Sequence, residues 1–396
     1  SDLILLVKQE RPKGARAKRV MKVITENCKV PIKSWCNSLE ESALKQAVNL
    51  ANLPFIYKWL SLMPDCHAGY GMPIGGVLAT QKVVSPNSVG VDIGCGVCAI
   101  KSNLKDFDKE SLKRVIGEIR EVVPVGFDKH KTAQDSNLLP VTERVFNVKN
   151  SIVSQELDKA LFSIGTLGGG NHFLELQKDK EGYLWVMIHS GSRNLGKKVA
   201  DHYNDLAVEL NNKWFSSVPE SVELAFLPLD TQEGQDYLAE MEYCIKFALA
   251  NRKLMMENSK KVLESHFNGV KFEEMINIPH NYARLENHYG QNVVVHRKGA
   301  TSARDGEIGI IPGSQGTKSY IIKGKGNLES FQSCSHGAGR AMGRKQAQKT
   351  LNLAGEIAAL DSKGIIHGIR HKENLDEAPS AYKDIETVMQ EQADLV

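Results

Sequence analysis

Turn-forming residues gather in islands along this chain, and each island carries between one and three residues of the types Asp, Cys and His. They are MPDCHAGYGMPIGG (63–76), VGVDIGCGVC (89–98), GTLGGGNHF (165–173), IHSGSR (188–193) and PHNY (279–282). Glycine lets the backbone turn sharply and approach a ligand. Loops of this kind set functional groups on a rigid scaffold. Strands and helices are mixed between the islands without a regular βαβ period. The expected fold class is therefore α+β, in a single compact domain.

Local patterns place the elements. Ser38 followed by Glu41 reads as a capping box, with an amphipathic helix over 39–52. Residues 55–102 are β-like, with apolar strands expected at 74–79, 89–93 and 97–102. Asp108 caps a helix reaching about 122, and 123–150 looks irregular. Strands follow at 172–177 and 184–189, then helices at 195–213 and from Thr231 to about Leu263. Further strands are expected at 292–297, 307–311 and 318–323, and helices at 338–351 and 380–393.

The net charge of +3 leaves any basic surface a local matter. Seven scattered cysteines, an odd number, argue for a reducing compartment and against a disulfide framework. The expected location is the cytoplasm, and no apolar run approaches membrane-spanning length. Residues 1–20 hold a basic run (Lys8, Arg11, Lys13, Arg16, Lys18, Arg19), either an arm for RNA phosphates or a non-native extension. The folded domain is expected over 21–396.

SCSHGAGRAMGRK (333–345) presents His336 among small residues. A helix starting after its Gly-rich turn would aim free N–H groups at a phosphate. Arg340 and Arg344, four apart, would share a helix face and hold phosphates by paired hydrogen bonds. Such a histidine can be a general acid, a ligand or a nucleophile. Cys334 is two residues away and reads as packed. Asp92 and Cys95 are three apart, and His172, His189 and His280 come from elsewhere. Each histidine alone reads as structural sooner than as a ligand. As a set they suit a borderline metal such as Mn, Fe, Co or Zn. Cys95 and Cys98 also match CxxC, but lack the βαβ context of a redox motif. PGSQGTKS (312–319) offers turn N–H groups and hydroxyls as a phosphate or nucleotide cradle.

Together these segments resemble the RtcB family of RNA ligases. The matches are MPDCHAGYG, VGVDIGCG, GTLGGGNHFLE, IHSGSR, HNY, RKGA, IIPGSQGTKS, SCSHGAGR and AYKDI, in the family's order from about residue 50 to the end. The resemblance implies a central metal and nucleotide cleft. It also implies a GTP- and Mn-dependent enzyme joining RNA 2′,3′-cyclic phosphate or 3′-phosphate ends to 5′-hydroxyl ends. His336 matches the nucleophile that becomes a guanylyl-histidine. Asp92, Cys95, His172, His189 and His280 match the ligands of a two-manganese centre, with Cys95 as the bridging thiolate. Asn171, Glu175, Pro312, Gly313, Ser314, Ser319, Ala338 and Gly339 fall where the family contacts the guanylate. Arg193, Lys298, Arg340 and Arg344 fall where phosphates of RNA or nucleotide would be met. An archease-type activator comes with the resemblance as a candidate partner.

Three departures qualify it. The sequence stops at AYKDIETVMQEQADLV, whereas longer members continue to a lysine that contacts the guanine, so the resemblance leaves the choice between GTP and ATP open. Cys98 gives Cys95 a nearby thiol, and Gln315 stands where many members have methionine. The competing readings are a phosphoesterase that opens cyclic phosphates without ligating, and a non-catalytic RNA-binding protein.

Overall fold

A computed structural model describes residues 3–6 and 21–396. The basic run from Lys8 to Arg19 lies outside the described residues. Two sheets organise the domain. The larger, six-stranded, runs in the order Asn281–His288, Gln291–Lys298, Ile74–Thr80, Ile56–His67, Ile32–Ser34, Lys22–Ile24. The second, five-stranded, runs Leu3–Leu6, Phe173–Asp179, Leu184–Ser190, Gly96–Lys101, Ile276–Pro279. The α+β expectation holds, with helices and strands mixed in one compact domain.

Helix Lys109–Val122 and the long helix Gln232–His266 cover one face of the second sheet, through Leu112, Ile116, Met255 and Leu263 against Ile100, Leu176 and Val186. Their starts are written locally. Asp108 accepts from the Ser111 N–H, and Thr231 accepts from the Gly234 N–H. The chain passes from one sheet to the other at Pro279–Asn281, so His280 stands at the seam.

Several local expectations fail, each for a visible reason. Residues 89–93 form turns rather than a strand. Gly90 and Gly94 have φ of 92° and 78°, and Gly90 and Cys95 donate back to Pro86 and Asp92 instead of to a ladder. The first helix is Glu41–Ala51, with Glu40 at its N-cap and no capping side chain. Ser38 does not close a box there. Glu40 instead accepts from the Ala68 N–H at 2.6 Å, tying the helix to the first island. The helix expected from 338 is only Arg344–Thr350, and the one expected from 380 is Ile385–Glu391. Residues 339–341 pair with 381–383, which takes their backbone out of helical geometry. Helices Ile152–Ser163 and Leu353–Ser362 and strand Asn281–His288 went unread in the sequence.

Candidate metal and nucleotide site

The second sheet brings the metal-type residues together. His189 lies on strand Leu184–Ser190, opposite Val97 on one side and Phe173 on the other. His172 therefore enters from the turn before Phe173, and Cys95 from the turn before Gly96. Asp92 sits three residues earlier on that turn, and His280 arrives from the seam. Two triads form, Asp92–Cys95–His172 and Cys95–His189–His280, each with ligand atoms within 4.8 Å of one another. Cys95 belongs to both. Its Sγ lies 3.5 Å from His172 Nε2 and 3.2 Å from His189 Nε2. His172 Nε2 is 3.0 Å from Asp92 Oδ2, and His189 Nε2 is 3.3 Å from His280 Nε2.

The rings are oriented from behind. His172 Nδ1 lies 3.0 Å from the Leu167 carbonyl and His189 Nδ1 lies 2.9 Å from that of Asn171, so Nδ1–H donates and Nε2 is left for a metal. At Gly191 a Cβ would stand 2.3 Å from Asp92 Oδ1, so only glycine lets this carboxylate approach. Two adjacent residues of the long helix brace the loops, and nothing local in the sequence marked them. Asn251 bonds Gly165, Thr166, Ser190 and Gly191, while the buried Arg252 donates to the Gly94 and Ser190 carbonyls at 3.0 and 2.8 Å.

Protonation in the metal-free protein follows from these contacts. Burial would raise the Asp92 carboxyl, but the hydrogen bond and charge of His172 outweigh it and hold it below the usual range. Burial, with the Asp92 charge beside it, lifts the Cys95 thiol well above its ordinary value. Burial and neighbouring rings hold His189 and His280 well below theirs. A carboxylate and neutral imidazoles are the ligand forms a divalent ion binds, and such an ion deprotonates a coordinating thiol. The donor set fits two ions sharing Cys95.

One expectation follows for stability. His189 and His280 stay neutral in the fold, while an unfolded chain takes up their protons near about pH 6.5. The unfolded state then binds more protons, so stability falls as the pH drops below that value. Thermal unfolding of the chelator-treated protein should show Tm declining between about pH 6.5 and 5.5. A Tm flat across that window would mean the rings protonate in place.

His336 follows strand Ser333–Ser335, and its ring packs edge-on against His280 with centroids 4.7 Å apart. Asp65, fully buried on strand Ile56–His67, is the partner the sequence did not disclose. Its Oδ2 lies 2.6 Å from His336 Nδ1 and also accepts the backbone N–H groups of His336 and Gly337. The N–H groups of His336 and Gly337 are therefore spent on Asp65, and no helix starts at 338 to aim further ones, since the helix begins at Arg344. Nδ1 donates, and Nε2 carries the free lone pair.

A cavity of about 770 Å³ opens beside His336. It is lined by the metal-type histidines His172 and His189, by Asn171 and Glu175, by Pro312, Gly313 and Ser314, and by Ala338 and Gly339. Asp92, Cys95 and His280 lie behind it. Ser319 is buried and shapes the cradle from below, accepting from the Gly313 N–H at 3.2 Å. Gln315 also lines the cavity, and its Oε1 is a buried acceptor with no partner. That orphan suits a ligand donor such as the N–H edge of a base. Tyr382 is a further lining residue that the sequence reading missed.

The cations are placed unevenly. Arg340 and Arg344 both line the cavity, although they do not share a helix. They converge because Glu377 Oε1 accepts from each, at 3.4 and 2.5 Å, and Asp376 holds Arg344 at 2.8 Å. Arg193 is braced across the glycine turn by Thr166 Oγ1 and the Gly126 carbonyl. Lys298 does not line the cavity. Its Nζ donates to the Tyr70 and Asn87 carbonyls at 2.6 and 3.1 Å, and burial pushes its pKa down to about 8. All seven cysteines are free. Cys98 reaches the Arg252 carbonyl at 3.9 Å and packs among the residues under the long helix.

The profile of the family described as tRNA-splicing ligase RtcB matches residues 46–396. The chain belongs to the RtcB family. Its relatives include the RNA-splicing ligase RtcB of Escherichia coli K12, 38% identical over 393 residues, spanning 94% of this chain and 95% of that one. The tRNA-splicing ligase RtcB of Thermococcus kodakarensis is 35% identical over 420 residues, spanning 89% and 87%. That of Archaeoglobus fulgidus is 35% identical over 414 residues, spanning 87% and 86%. In this RtcB chain no helix among the described residues is long and apolar enough to cross a membrane.

Proposed function

We propose that this protein is a GTP- and Mn-dependent RNA ligase that works in the cytoplasm. It would join RNA 2′,3′-cyclic phosphate or 3′-phosphate ends to 5′-hydroxyl ends. The observation carrying this reading is His336, with Nδ1 fixed on Asp65, Nε2 free, and a nucleotide-sized cavity beside two triads that share a thiol. Relatives named as RNA-splicing ligases support it.

In this reading the His336 Nε2 lone pair attacks the α-phosphorus of GTP. A P–N bond forms, the bond to the β-phosphate oxygen breaks, and pyrophosphate leaves. An RNA 3′-phosphate oxygen then takes the guanylate from His336, restoring the free ring. The RNA 5′-hydroxyl oxygen attacks the activated 3′-phosphorus, losing its proton as GMP departs. A cyclic phosphate is first opened by water to a 3′-phosphate. Asp92, Cys95, His172, His189 and His280 would hold manganese, whose contribution is to withdraw charge from the attacked phosphoryl group. Asp65 holds the ring in one tautomer and stabilises positive charge on it as the P–N bond forms. Asn171, Glu175, Pro312, Gly313, Ser314, Ser319, Ala338 and Gly339 would seat the guanylate. Arg193, Arg340 and Arg344 would meet phosphates, and Lys298 would support the loops around Tyr70 and Asn87.

The test is incubation of purified protein with GTP, Mn²⁺ and an RNA bearing a cyclic phosphate and a 5′-hydroxyl. A joined product that requires GTP is expected. Opening of the cyclic phosphate with no joining under any nucleotide would replace this reading with a phosphoesterase.

A further inference from the structure

The support of the nucleophile extends one layer beyond Asp65, to Lys383. Its side-chain Nζ donates to the Cys66 carbonyl at 2.7 Å, the Pro64 carbonyl at 3.4 Å and Cys36 Sγ at 3.4 Å. An ammonium has three N–H donors, and here each has an acceptor. Two of those acceptors are the carbonyls of Pro64 and Cys66, the residues on either side of Asp65. Among the described residues Lys383 has no carboxylate within ion-pair distance; its donors go to two backbone carbonyls and one thiol, and its charge reaches Glu391 only from farther off.

The main chain of Lys383 grips the other half of the same assembly. Its N–H donates to the Gly339 carbonyl at 2.9 Å, three residues after His336. Gly339 has φ of 75°, and a Cβ there would stand 2.3 Å from the Asp65 carbonyl oxygen. The segment carrying His336 and the strand carrying Asp65 are therefore in van der Waals contact, and Lys383 is bonded to both.

We infer that Lys383 is a positioning residue for the nucleophile: it fixes the Pro64–Asp65 and Cys66–His67 peptide groups on either side of Asp65, and with them the direction of the Asp65–His336 hydrogen bond. This rests on the reading of His336 as the group that takes the nucleotide. Lys383 touches neither nucleotide nor RNA in that scheme. Its loss should slow covalent transfer without weakening GTP binding or metal retention. A misplacement of about 1 Å at a reacting group costs on the order of 100-fold in rate.

The test follows covalent labelling by GTP over time in wild-type protein, Lys383→Met and Lys383→Arg, with metal content and Tm measured on each. Expected for Lys383→Met is a maximal labelling rate roughly 10- to 100-fold lower, with half-saturating GTP and manganese content unchanged. Arginine, which restores donors to both carbonyls, should recover most of the rate. Should the methionine variant not fold, Lys383→Gln supplies the same comparison. Labelling by Lys383→Met within about twofold of wild type, far below the cost of a misplaced group, would overturn the inference alone. So would a parallel loss of label, metal and Tm in both variants, which marks a merely structural lysine. Wild-type protein that takes no label would overturn the nucleotide reading, and this inference with it.

Discussion

His336→Ala should take up no covalent nucleotide and should join no RNA, while retaining manganese at the wild-type level. Removing a nucleophile whose partners remain in place typically costs several orders of magnitude, so label and joined product should each fall by roughly 10⁴-fold or more. Metal content should survive because His336 belongs to neither triad, although its ring packs against His280. The measurement is α-labelled GTP, and separately ATP, with Mn²⁺, followed by a denaturing gel and elemental analysis of the same samples. Acid-labile, alkali-stable label in wild type that vanishes in the variant identifies a phosphohistidine linkage. Loss of metal together with label would make His336 a structural residue of the centre. Label from ATP would mean that the cavity does not discriminate the base.

Cys95→Ala should have the larger effect on the metal centre. Its sulfur is common to both triads, 3.2 Å from His189 Nε2 and 3.5 Å from His172 Nε2, so one substitution removes a ligand from each. Changes to groups behind a metal ligand already cost about 10- to 100-fold in affinity. Loss of a shared ligand should exceed that and empty both positions at limiting manganese. His280→Ala, which touches one triad only, should lower the content by at most one ion per chain. Unchanged stoichiometry in Cys95→Ala after dialysis would rule out a shared thiolate.

Local interactions made part of this molecule readable without coordinates. Helix Leu195–Lys213 and the Thr231 cap of the long helix follow from side-chain periodicity and from a hydroxyl near its own N–H groups. Strands such as Leu184–Ser190 and Gln291–Lys298 follow from apolar runs between turn formers. Those signals act within a few residues, and the sequence holds them complete. Residue types compatible with a metal were legible as well, though only as a set. Tertiary structure alone decided which of them meet. Asp65 reaches His336 across 271 positions because strand Ile56–His67 runs beneath the segment after Ser335. His189 faces Cys95 because of the register between Leu184–Ser190 and Gly96–Lys101. Asn251 and Arg252 brace the metal loops from a helix whose pattern marks only its buried face. Where strong local signals misled, at 89–93 and 338–343, glycine at positive φ and pairing with distant segments overrode them. A strand register is set by the whole sheet and the cores packed on it, and no window of sequence contains it.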